Sequence, residues 1–147
     1  MGPVEVRGKQ QLSTKEPAIL YIEDHPASRR VMELLVVDVM GLSQLTLVAD
    51  TTDIIQNLEA MHKHFDVIFL DVNLQPHDGC AVCAMLRAHE QFRSAKIVGL
   101  TASVTPDEMR KMQAVGFDGV IAKPISHVTF PEQLEHILAG EALWESM

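Results

Sequence analysis

The sequence predicts a three-layer, doubly wound α/β domain, and three observations carry that expectation. Short, continuously apolar runs alternate along the chain with longer segments whose apolar residues recur at helical spacing. The runs are unbroken, as in Val67-Ile68-Phe69-Leu70, which marks strands buried on both faces of a parallel sheet. The runs also end in polar or charged residues, and in open parallel sheets ligands bind outside the carboxyl ends of the strands.

In order along the chain, Ile19–Ile22 reads as the first strand and runs into Glu23-Asp24. Pro26 opens a helix, because its fixed φ and missing N–H suit the first turn. Val31, Leu34, Leu35, Asp38 and Val39 give that helix a mostly apolar face, and Gly41 ends it. Gln44–Ala49 is the second strand. Thr52 or Asp53 can cap a helix that turns Ile54, Ile55, Leu58 and Met61 inward. The third strand closes on Asp71, a loop covers 72–77, and Asp78-Gly79 starts a helix that continues through Arg87. Lys96–Leu100 is the fourth strand and leads into Thr101. Thr105-Pro106-Asp107-Glu108 combines a cap, a first-turn proline and two acids that suit the positive end of a helix dipole. Met109, Met112 and Val115 form the apolar face of that helix, and Gly116 stops it. Gly119–Ala122 is the fifth strand, leading into Lys123-Pro124, and a last helix includes Pro131 to Leu138. Right-handed crossovers then place helices on both faces of the sheet.

The chain's 147 residues suit one domain, and 47% hydrophobic with 22% charged residues is enough for an ordinary core. No internal repeat, low-complexity tract or linker divides it. Residues 1–16 are polar and read as a flexible leader, with the domain proper at 17–147. A net charge of −8 argues against direct nucleic-acid binding, which leaves a basic footprint. No apolar run approaches the ~20 residues of a membrane span, and no signal-peptide core is present, so a cytoplasmic location is expected. Cys80 and Cys83 form a C-x-x-C pair without partner ligands. They are expected on a helix as reduced thiols, with Cys83 packed in the core as a small hydrophobe. The eight methionines read as core filler.

Glu23, Asp24, Asp71, Thr101 and Lys123 should converge on one edge of the sheet. Taken singly, each has an ordinary explanation: the acids as helix or turn caps, Thr101 as a strand end, Lys123 as a solvated charge. Together they form a site that can meet a metal or a phosphoryl group. Three packed acids repel and call for a hard cation, and magnesium favours carboxylate, carbonyl and phosphate oxygens. Lys123 adds a compact positive charge and Thr101 a hydrogen-bond donor. His25, His62, His64 and His77 are read as solvated loop residues, because no pair completes a metal-ligand set. His25 borders the acids.

Glu23-Asp24, Asp71, Thr101-Ala102 and Lys123-Pro124 resemble the signature of the two-component response-regulator receiver domain, over roughly Ala18 to Leu138. Gly79, Thr101 and Lys123 follow Asp71 by 8, 30 and 52 residues, in that family's register. The resemblance implies a flavodoxin-like sheet with strand order 2-1-3-4-5. It implies that Asp71 accepts a phosphoryl group from a phosphohistidine, on a histidine kinase or a histidine phosphotransfer protein, and that the altered surface then engages a downstream protein. Asp24 matches a direct magnesium ligand, Glu23 one acting through water, and Asn73 the residue whose backbone carbonyl completes the site. Thr101 and Lys123 match the groups that meet the phosphoryl oxygens. Such a domain signals and catalyses only its own phosphorylation and dephosphorylation.

Two departures bear on output. The loop after Asp71 carries Gln75-Pro76 where proline usually stands at the earlier position. Val120, three residues before the lysine, replaces the usual aromatic, and a β-branched side chain cannot make that ring's swing. Two other classes stay open. A magnesium-dependent aspartyl-nucleophile phosphatase also attacks with a strand-end Asp, but typically needs a second Asp where Asn73 stands. A degenerate receiver would serve only as an interaction scaffold, which the complete acid, threonine and lysine set opposes.

Overall fold

The computed structural model describes residues 16–74 and 77–144. The proposed leader, but for Glu16, and the Gln75-Pro76 departure lie outside the described residues. Five parallel strands form one sheet: β1 (Ile19–Ile22), β2 (Leu45–Val48), β3 (Val67–Asp71), β4 (Lys96–Thr101) and β5 (Gly119–Ala122). Their order is β2-β1-β3-β4-β5, the expected 2-1-3-4-5. The helices between and after them are α1 (Pro26–Glu33), α2 (Ile54–Glu59), α3 (Gly79–Ala88), α4 (Pro106–Val115) and α5 (Phe130–Leu138).

Strand periodicity divides the core. Leu20, Ile22, Ile68, Leu70 and Ile97 face one side, where Leu58, Val82, Leu86 and Met112 of α2, α3 and α4 cover them. Ile19, Tyr21, Val67, Phe69, Val98 and Ile121 face the other, under Met32, Phe130, Leu134 and Ile137 of α1 and α5. Thr105 caps α4, its hydroxyl accepting from the Glu108 N–H, as the sequence led us to expect, and Asp78 caps α3 through the Ala81 N–H. Arg87 ties the end of α3 to three backbone carbonyls, of Gly116, Arg93 and Ala95, and to the Asp118 carboxylate.

Three expectations need correction. After Glu33 the first helix widens into a π-helical stretch, Leu34–Val39, whose extra residue per turn rotates its faces. The buried set is therefore Met32, Leu35 and Val36, and Val31, Leu34, Asp38 and Val39 lie exposed. The second helix ends at Glu59, so Met61 lies beyond it and is exposed. At its start Asp53 adopts a left-handed backbone and makes no side-chain cap, and the Ile54 N–H bonds the Thr51 carbonyl. Cys80 and Cys83 both lie on α3 as free thiols, Cys83 in the core as expected and Cys80 buried beside it.

After α5 the chain returns to the sheet. Leu143 bridges Gly119 in parallel, and its carbonyl accepts from the Val120 N–H at 2.6 Å. Trp144 packs against the α2–α4 side of the core. The outer edge of β5, which would otherwise present open backbone groups, is thus partly covered.

Candidate phosphoryl site

Parallel register brings the polar strand ends to one edge. Ile22 pairs with Leu70, Asp71 with Leu100, and Thr101 with Ala122. Glu23, Asp71 and Lys123 follow Tyr21, Phe69 and Ile121 by two residues and so lean to the same side of the sheet. One oxygen each from Glu23, Asp24 and Asp71 lies within 4.8 Å of the others. Glu23 and Asp71 are buried, whereas Asp24 is exposed. Three carboxylates so placed form a hard oxygen donor set that suits magnesium.

Lys123 joins the acids. Its Nζ donates to Glu23 Oε1 at 2.8 Å and stands 3.5 Å from Asp71 Oδ1. The Lys123–Pro124 peptide bond is cis, and the Lys123 N–H donates to the Thr101 carbonyl at 2.8 Å. The Thr101 hydroxyl is turned to its own loop, accepting from the Ser103 N–H at 3.1 Å and lying 3.3 Å from the Ser103 carbonyl. Asn73 is exposed, and its N–H donates to Asp71 Oδ1 at 3.3 Å. Gly79 holds the loop close: a Cβ there would meet the Asp71 carbonyl oxygen at 2.6 Å. His25, His62, His64 and His77 are all exposed. Among the described residues, only Glu23, Asp24 and Asp71 form a group of three potential metal ligands.

The two buried acids behave oppositely. Burial raises the Glu23 carboxyl, but hydrogen bonds with Lys123, Asp71 and Tyr21 outweigh that and hold it below the ordinary value. Burial, followed by the hydrogen bond and charge of Glu23, pushes the Asp71 carboxyl above its ordinary value. Asp71 is therefore the acid that a counter-charge relieves most.

Sequence reasoning missed three residues. Tyr21 donates its hydroxyl to Glu23 Oε1 at 2.8 Å, Arg29 bonds the Glu23 carbonyl at 2.9 Å, and Ser103 holds the Thr101 hydroxyl. A signal existed for the first: Tyr21 puts one polar tip in an aliphatic strand, two residues before Glu23 and hence on its face. An apolar hollow of about 140 Å³ opens beside Lys123, lined by Tyr21, Ala27, Val31, Leu100, Pro124 and Ile125, among others.

Comparison with known proteins agrees with this geometry. The family model described as the response regulator receiver domain matches residues 19–135. The sensor protein EvgS of Escherichia coli K12 is 30% identical over 146 residues, covering 91% of this chain and 11% of that protein. The sensor protein GacS of Pseudomonas syringae is 30% identical over 118 residues, 78% of this chain and 13% of that one. The chain thus spans about a tenth of the length of these sensor relatives. Among solved structures, the chemotaxis protein CheY4 of Vibrio cholerae superposes with a TM-score of 0.75 at 24% identity, over 84% of this chain and 99% of that one. The receiver domain of a sensor histidine kinase from Pseudomonas aeruginosa PAO1, solved with magnesium coordinated in its active-site cleft, gives 0.71 at 27% identity, over 85% and 99%.

Proposed function

This chain belongs to the response regulator receiver domain family, and on that premise we propose that Asp71 is its phosphoacceptor. The domain is a signalling module of two-component systems. The observation that carries the assignment is Lys123 Nζ poised between Glu23 Oε1 and Asp71 Oδ1, at 2.8 and 3.5 Å. A cation so placed can follow a phosphoryl group onto Asp71.

In the proposed reaction an Asp71 carboxylate oxygen attacks the phosphorus of a phosphohistidine. The new O–P bond forms as the P–N bond breaks, and the imidazole nitrogen keeps that electron pair. Transfer of this kind depends on positioning and charge neutralisation. Lys123 pairs with the phosphoryl oxygens, and the Thr101 hydroxyl, released from Ser103, donates to another. Glu23, Asp24 and Asp71 would hold a magnesium ion with the Asn73 backbone, Asp24 directly and Glu23 through water. When bound, the ion supplies positive charge against the phosphoryl oxygens. Asn73 lacks the acid/base carboxylate that an aspartyl-nucleophile phosphatase uses at that place, which disfavours hydrolysis of outside substrates.

The donor is proposed to be a histidine kinase or histidine phosphotransfer protein, a reading supported by the receiver-family match and the sensor relatives, with a downstream protein reading the result. No helix among the described residues is long and apolar enough to cross a membrane. Two free buried thiols support a reducing, cytoplasmic setting. A domain spanning 17–147 is supported at its start by the Ala18 N–H bond to Asp66.

The test is phosphotransfer from a purified histidine phosphotransfer protein carrying labelled phosphate. Label should pass to the chain with magnesium and fail to pass to Asp71→Asn. Equal labelling of Asp71→Asn overturns the assignment.

A further inference from the structure

We propose that Tyr21 is a positioning residue for phosphorylation: its hydroxyl retains the buried Glu23 carboxylate so that Lys123 can leave it for Asp71. This rests on the reading of Asp71 as phosphoacceptor.

Glu23 is 0% exposed and Tyr21 1%. Glu23 Oε1 takes two hydrogen bonds of 2.8 Å, one from the Tyr21 hydroxyl and one from Lys123 Nζ. Oε2 receives the His25 N–H at 3.3 Å, and the Glu23 backbone carbonyl is tied to Arg29 at 2.9 Å. Of the donors on the carboxylate, Lys123 is the one that also reaches Asp71, at 3.5 Å.

An anionic group arriving on Asp71 draws the lysine ammonium toward itself. Without another donor on Oε1, that movement would strip a buried charged oxygen of its partner, which is strongly unfavourable. Tyr21 removes the difficulty. Its ring is locked in the core with Met32, Phe69 and Phe130, and its hydroxyl stays on Oε1 after the lysine departs. Packing alone does not require the hydroxyl, because phenylalanine fills the same volume. What the oxygen adds is a neutral donor that cannot follow the phosphoryl group. Tyr21 thus touches neither the reacting atoms nor the incoming group, and acts through Glu23.

The test uses the full chain, Tyr21→Phe, Glu23→Gln and the double variant, each at saturating magnesium. Beryllofluoride, a phosphoryl mimic, is titrated by NMR shifts of the Asp71 and Thr101 amides. Loss of a hydrogen bond to a buried charge predicts that Tyr21→Phe raises the half-saturating beryllofluoride concentration about tenfold. Its own half-saturating magnesium concentration should move by less than about threefold, because the lysine still partners Glu23 in that state. In the Glu23→Gln background, where no buried charge is left behind, Tyr21→Phe should raise that concentration by less than about threefold. Unchanged beryllofluoride binding by Tyr21→Phe, or an equal loss in both backgrounds, overturns the proposal and leaves Asp71 untouched. If the unsubstituted chain binds no beryllofluoride and takes no phosphoryl group, the phosphoacceptor reading falls and this one with it.

Discussion

Replacing Asp71 with asparagine should make the protein more stable while removing its proposed phosphoacceptor. One oxygen of Asp71 lies within 4.8 Å of oxygens from Glu23 and Asp24, and another contact places Lys123 3.5 Å away. At an effective dielectric of about 20, a like-charge pair at the outer limit of that separation opposes folding by about 3–4 kcal/mol, and the lysine returns about 5. Asp24 is exposed, so solvent screens its share further. The balance leaves ionised Asp71 unfavourable by about 1–2 kcal/mol, or roughly 3–6 °C in Tm for a chain this long. Asparagine keeps the oxygen that accepts from the Asn73 N–H and loses the charge. The pH dependence has a definite sign. Burial, then Glu23, raises the Asp71 carboxyl, so its ionised form destabilises the fold. That penalty is complete above the raised folded value and absent below the ordinary aspartate range. Thermal melts with chelator present should therefore show Asp71→Asn ahead at neutral pH, with the gap closing on acidification. Magnesium should close it too, by stabilising the unsubstituted chain more. An Asp71→Asn variant no more stable at neutral pH, or one whose advantage grows in acid, refutes the reasoning.

Three further outcomes follow from particular contacts. Gly79→Ala places a Cβ 2.6 Å from the Asp71 carbonyl oxygen and 2.8 Å from Val72 Cα, both backbone atoms that cannot rotate away. Urea unfolding should show a loss of about 1–3 kcal/mol, and NMR should show the Asp71 amide shifted. Gly119→Val drives a side chain into the Leu143 backbone, 2.7 Å from its carbonyl oxygen. The Val120 amide should then lose hydrogen-exchange protection and the fluorescence of Trp144, the chain's only tryptophan, should shift to the red. Burial pushes the Cys83 thiol up to about 12 and raises Cys80 as well. Both should react with a thiol reagent at neutral pH only as fast as the domain opens, and denaturant should abolish the protection.

Much of the fold was legible because parallel strands buried on two faces must be continuously apolar, and Val67–Leu70 has no other economical reading. Strand ends in such a sheet are neighbours in space, so Glu23, Asp24, Asp71 and Lys123 could be grouped before any distance was known. The face of the first helix was not legible. Counting at 3.6 residues per turn selects Leu34 and Val39, and a π-helical stretch over Leu34–Val39 breaks that count without any residue that announces it. The return of Leu143 to Gly119 was also hidden, because a single bridging residue leaves no strand-length pattern. Thr101 was legible as a strand end at the candidate site but not in its bonding to Ser103, since a hydroxyl's partner depends on the loop that follows. Tyr21 was hidden in plain sight, a ring that reads as core and an oxygen that serves Glu23.

The most direct measurement is intact mass and residue mapping after incubation with acetyl phosphate, with and without magnesium. The account predicts one added phosphoryl group in the presence of magnesium, located on Asp71 after acid quench, little without the ion, and none on Asp71→Asn. A phosphoryl group mapped to any other residue, or undiminished labelling of Asp71→Asn, contradicts it.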